Sequence, residues 1–107
     1  MGTSPFLWGH NLLQTAIIAD ITGNNTVIPA VSGQIIHVYK MFCTTINATA
    51  SVVFQNGATA LTGTMEVGAL TFDYDGEPWF TTSAGNAFII NIYPARQLSG
   101  RIYYTQQ

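Results

Sequence analysis

The sequence predicts an all-β fold, a single-domain antiparallel β-sandwich of jelly-roll type preceded by an extended N-terminal arm. Three observations predict it. Short runs rich in β-branched and aromatic residues recur at turn spacings of about 8 to 12 residues. Turn dipeptides separate them, Asn56-Gly57 the clearest. No window of ten residues carries a convincing 3.6-residue apolar period. At 107 residues the chain has room for one domain and no second.

Residues 1–11 form the predicted arm and residues 12–107 the sandwich. The arm holds two glycines and a proline beside Phe6, Leu7 and Trp8, with neither strand nor helix periodicity. Three large apolar side chains are out of place on a solvated tail, so they are candidate contacts with a partner, a sister subunit or the arm's own domain. From Leu13 to Ile21, Leu13, Ile17, Ala19 and Ile21 alternate with more polar positions as in a half-buried strand. Thr22-Gly23-Asn24-Asn25 reads as a turn. Thr26 to Val31 reads as a strand whose Pro29 requires a sheet edge or a bulge.

Gly33 to Cys43 is the longest β-type run. Strict alternation puts Ile36, Val38 and Phe42 on one face with Lys40, and Ile35, Tyr39, Met41 and Cys43 on the other with His37. Both faces are then mostly apolar. A sandwich strand has one face outside, so an apolar outer face needs a cover, supplied by a loop, the arm or another subunit. Ile35, His37, Tyr39 and Met41 are therefore candidate subunit-interface residues.

Ala50 to Gln55 sets Ala50, Val52 and Phe54 on one face, and Asn56-Gly57 returns the chain through Ala58 to Leu61. Thr62-Gly63 and Gly68 break the next segment. Ala69 to Tyr74 groups Leu70, Phe72 and Tyr74, then Asp75-Gly76-Glu77-Pro78 turns into the short aromatic run Trp79 to Thr82. After the Ala84-Gly85-Asn86 turn, Ala87 to Tyr93 sets Phe88, Ile90 and Ile92 on the face opposite Ala87, Ile89, Asn91 and Tyr93. Leu98 to Thr105 closes the chain with Leu98, Ile102 and Tyr104 together.

Charge bounds the function. Three Lys plus Arg and five Asp plus Glu make 7% charged residues, against about 25% in ordinary soluble domains. So little charge favours a subunit of an assembly. With a net charge of -2 and no basic cluster, neither nucleic-acid nor anionic-membrane binding is expected. The apolar runs fall short of the ~20 residues that span a bilayer, and no basic flank precedes an apolar segment as in a signal peptide. A single cysteine forms no internal disulfide and fits a reducing compartment.

No set of residues carries catalysis, a cofactor or a metal. Asp73, Asp75 and Glu77 lack the oxygen count and spacing of a calcium loop and read as a solvated turn. The same three carboxylates lack an opposing cluster for glycoside hydrolysis. His37 and Cys43 share a predicted face but stand roughly 20 Å apart along the strand, too far to share one ion. Tyr74, Trp79 and Phe80 form an alternative candidate: a glycan-stacking platform, if they are not anchored in the core.

Taken together, Gly33-Gln-Ile-Ile-His-Val, Val52-Val-Phe-Gln-Asn-Gly57, Ala60-Leu-Thr-Gly63 and Trp79-Phe-Thr-Thr-Ser-Ala-Gly-Asn-Ala87 resemble the small β-sandwich structural proteins of tailed-bacteriophage virions, similar in plan to head decoration or cement proteins. The likeness runs from about Thr15 to Thr105. It implies a non-enzymatic protein without cofactors, a homotrimer seated on the capsid surface and bound to the major capsid protein, made in the host cytoplasm. Tail or fibre location and a lectin-like sugar-binding module are the alternatives.

Overall fold

The computed structural model describes residues 12–46, 48–94 and 96–107. The predicted arm, with Phe6, Leu7 and Trp8, lies outside the described residues. Ten strands and no helix make up the described chain: β1 (Leu13–Ala19), β2 (Gly23–Ile28), β3 (Ile36–Thr45), β4 (Ala50–Asn56), β5 (Thr59–Ala60), β6 (Met65–Val67), β7 (Ala69–Phe72), β8 (Phe80–Thr81), β9 (Phe88–Tyr93) and β10 (Leu98–Gln106). They form two antiparallel sheets. One has the order β1-β10-β3-β7, with β8 also on β3; the other has the order β2-β9-β4-β5, with β6 also on β4.

The inner faces follow from period-two alternation. Ala50, Val52 and Phe54 of β4, Phe88, Ile90 and Ile92 of β9, and Leu98 and Ile102 of β10 are all buried in one apolar core, as their spacing predicts. Asn56-Gly57 turns β4 into β5, with Gly57 at φ 57°, a left-handed conformation that glycine adopts without steric cost. Pro29 falls one residue beyond β2. That strand is an edge and breaks register between Thr26 and Ile28, as the proline requires.

Strand β3 departs from the expected alternation. Across β10, Tyr103 faces Lys40 and Tyr104 faces Val38, so Tyr39 is an extra residue with no partner. This β-bulge shifts the phase of the strand by one. Ile36 and Val38 point inward before it, Met41 and Cys43 after it, and all four are buried. Met41, 0% exposed, therefore sits in the core and not on an outer face with His37 and Tyr39. The doubly apolar run is one continuous inner face that changes parity. On the other side of β3 the neighbour is interrupted at the same level: β7 pairs from Met41 to Thr44, β8 pairs with His37 and Val38, and the chain between them loops away.

Two further differences have local causes. Strand β2 begins at Gly23, inside the predicted turn, because Asn25 is drawn into the sheet. Its buried amide donates to the Ile21, Gly23 and Ile90 carbonyl oxygens at 2.9, 3.1 and 3.3 Å, and its Oδ1 accepts from the Ile21 N–H. Three residues suffice for β6 between the breakers Gly63 and Gly68.

Candidate binding surfaces

The outer face of the β1-β10-β3-β7 sheet is the richest surface chemically. The bulge turns both Tyr39 and Lys40 away from the core, adding to His37, Phe42 and Thr44. The Tyr39 ring lies 5.6 Å from that of Tyr74 and 6.4 Å from that of His37. The His37 Nδ1 and the Thr81 hydroxyl share a 3.1 Å hydrogen bond. The Lys40 ammonium stands 5.2 Å from the centroid of Tyr103, a cation–π contact. Arg101 donates to Gln14 Oε1 at 3.3 Å. Phe42, 44% exposed, lies in register between Arg101 and Thr71.

Of the predicted interface residues, His37 and Tyr39 are on this face. Ile35 precedes β3 and is half-buried, exchanging backbone hydrogen bonds with Gln107. Met41 is in the core. Lys40, Phe42 and Tyr103 joined the face without being singled out from the sequence. The signal for Tyr103 was its parity opposite Ile102, whereas Lys40 and Phe42 were obscured by the assumed alternation.

The aromatic platform divides. Phe80 turns inward and packs edge-on to Phe54 at 5.3 Å and to Phe72 at 5.7 Å, with Phe88 6.0 Å away. Phe80 thus anchors the core, as adjacent residues of a strand point to opposite faces. Trp79 remains 47% exposed. Its indole N–H donates to the Asp73 carbonyl oxygen at 2.7 Å and its ring packs tilted against Phe72 at 5.1 Å, which holds the indole in place while it stays exposed. Tyr74 faces Tyr39.

Among the described residues no group of three or more His, Cys, Asp and Glu side chains is placed to hold a metal ion. Asp75 and Glu77 belong to an exposed turn, in which the Glu77 N–H donates to Asp75 Oδ1. His37 and Cys43, expected on one face, lie on opposite faces because the bulge falls between them. Burial pushes the Cys43 thiol up to about 11, so it stays protonated at neutral pH, whereas the thiolate is the reactive form. Comparison with protein-family models, with curated proteins and with solved structures found no match.

Proposed function

We propose that the chain is a non-enzymatic virion module of jelly-roll plan, which binds the major capsid protein through the outer face of the β1-β10-β3-β7 sheet and stabilises the head. The observation that carries this reading is the nesting of the strand pairs. β1 pairs with β10, β2 with β9, β3 with β7 and β8, and β4 with β5 and β6. Such nesting is what a long antiparallel hairpin yields when it rolls up, the architecture that viral capsid and lectin domains use. A fold alone does not assign a role. The face adds to it: His37, Tyr39, Lys40, Phe42, Tyr74 and Tyr103 mix rings with a few polar groups, the composition of a protein-binding patch. With only 7% charged residues, the surface depends on partners and uncharged polar groups for its solvation.

The test is co-sedimentation of the purified protein with phage heads that lack it. Stoichiometric binding that drops at least tenfold for Phe42→Asp, with an unchanged circular dichroism spectrum, supports the reading. Absence of binding by the folded wild type overturns it.

The exposed indole of Trp79 favours a second reading, a sugar-binding module in which that ring stacks on a pyranose face. Glycan-array binding abolished by Trp79→Ala in a folded protein supports it, and a blank array counts against it.

A further inference from the structure

The two sheets expose several edges, and all but one are blunted. β2 carries its register break and ends before Pro29. β5 and β6 have two and three residues, and β7 and β8 have four and two with a loop between them. β1 is different: seven residues, Leu-Gln-Thr-Ala-Ile-Ile-Ala, pair with β10 in unbroken register from Leu13↔Tyr104 to Ala19↔Leu98. It contains no charge, proline, glycine or bulge, the devices that keep an edge from pairing. Among the described residues its other side is hydrogen-bonded to no strand, and the Ile18 side chain stands 60% exposed.

We infer that β1 is a docking edge for a second copy of this chain, joined antiparallel across a twofold axis so that the two outer sheets become one. Self-pairing fits the residues on three counts. A strand opposite its own copy sets any charge near its like, and β1 has none. Full overlap of the seven residues fixes the register, with Ala16 opposite Ala16, Gln14 opposite Ile18 and Leu13 opposite Ala19. Residues directly opposite share a face in an antiparallel pair, so the exposed Ile18 covers the stem of Gln14 and buried Ile17 stays inward beside Thr15. An isologous contact of this kind closes at two subunits, not three.

The experiment is light scattering from low to high micromolar concentration, together with oxidative cross-linking. The expected mass is about 23 kDa, twice the 11.6 kDa chain. Ala16→Cys should cross-link to a disulfide dimer, because opposed residues of an antiparallel pair lie about 4.5–5.5 Å apart between Cα atoms, within disulfide reach. Ile21→Cys, exposed but beyond the strand, should cross-link at least tenfold less. Ala16→Lys should return the mass to that of the monomer with the circular dichroism spectrum kept, and Ile18→Lys serves if that variant does not fold. A wild-type monomer at high micromolar concentration overturns the inference. So does a particle of about 35 kDa, three times the 11.6 kDa chain, or cross-linking that does not distinguish Ala16→Cys from Ile21→Cys.

Discussion

Deleting Tyr39 removes one residue from the centre of the longest strand, and the folded state should survive it. Without Tyr39 the order Ile36, His37, Val38, Lys40, Met41, Phe42, Cys43 alternates regularly, inward at Ile36, Val38, Met41 and Cys43. Across β10, Val38 and Lys40 already oppose the consecutive residues Tyr104 and Tyr103, so the register closes with no shift. On the other side the loop between β7 and β8 absorbs the change. The loss is the half-buried Tyr39 ring and its packing on Tyr74 and His37. An aromatic pair is worth about 0.5–1.5 kcal/mol and the lost apolar area about as much again, so the cost is about 1–3 kcal/mol.

If Met41 and Cys43 were instead inward as ordinary members of an alternating strand, on one face with His37 and Tyr39, deletion of Tyr39 would turn Met41 and Cys43 out and Lys40 and Phe42 in. Exposing two buried side chains costs about 1.5–3 kcal/mol each, and burying an unpaired ammonium adds several more. The sum is comparable to the whole stability of a small domain, about 5–15 kcal/mol. Deleting Val53 is the control. β4 alternates without a bulge through Ala50, Val52 and Phe54, and its register with β9 is unbroken, so that deletion throws the buried Phe54 off the core face. Urea unfolding followed by circular dichroism separates the two. The Tyr39 deletion should unfold cooperatively with a lowered midpoint and the Val53 deletion should be unfolded in water. Equal loss of structure in both would refute the bulge as the reason for the inward set.

Gly100→Ala should be more damaging than either neighbour's truncation, because a Cβ there collides with the Phe42 carbonyl oxygen and comes within 2.7 Å of Cys43 Cα. Overpacking of about 1–3 kcal/mol plus one or two lost ladder bonds predicts a loss of about 2–5 kcal/mol in urea melts; less than 1 kcal/mol would contradict the close approach. Asn25→Ala removes the side-chain hydrogen bonds to the Ile21, Gly23 and Ile90 carbonyl oxygens and the acceptor of the Ile21 N–H, and should cost about 1–3 kcal/mol by the same assay. For Cys43, whose folded thiol is raised from 9.0 to about 11, the unfolded chain ionises first as pH rises. Its contribution is complete below pH 9 and is lost progressively towards pH 11. The stability advantage of wild type over Cys43→Ala should therefore be smaller at pH 10.5 than at pH 8, and alkylation of the native thiol at pH 8 should be slow until denaturant is added.

The strands that were legible in the sequence are those in which composition and parity agree. In β4, β9 and β10 the apolar residues fall two apart, Asn56-Gly57 ends β4 and Gly85-Asn86 precedes β9, so both the strand and its inner face follow from period two. β3 has the right composition but hides a change of parity. A run apolar at both parities describes equally a strand covered on two sides and a strand whose single inner face shifts at a bulge, and nothing local in Val38-Tyr39-Lys40-Met41 separates them. The partner strand decides, through the consecutive pairing of Tyr103 and Tyr104. Asn24-Asn25 failed for a related reason. Asparagine favours turns when its amide bonds to nearby backbone, and Asn25 makes those bonds from within a strand, so its chemistry is that of a turn although its position is not. Trp79-Phe80 was read as a unit, yet adjacent strand residues oppose each other, so the phenylalanine packs on the core and the tryptophan is the exposed one.

The bulge also relocates the case for self-association. An apolar outer face on β3 would have demanded a cover, and with Met41 and Cys43 in the core that demand disappears. What is left outside β3 is His37, Tyr39, Lys40 and Phe42, amphipathic side chains that tolerate water while offering rings to a partner. β1 is a different problem, because the groups left over at an edge are backbone N–H and C=O, which no substitution other than proline removes. Water satisfies them in a monomer. A second strand satisfies them while also covering Ile18, and the absence of charge, proline and bulge from these seven residues leaves that pairing unopposed. If both proposals hold, one sheet carries two kinds of contact: a side-chain face for a different protein and a backbone edge for its own copy. Occupying the edge does not consume the face, so a paired edge would present two such faces side by side to the same surface, and binding at one would raise the effective concentration of the other.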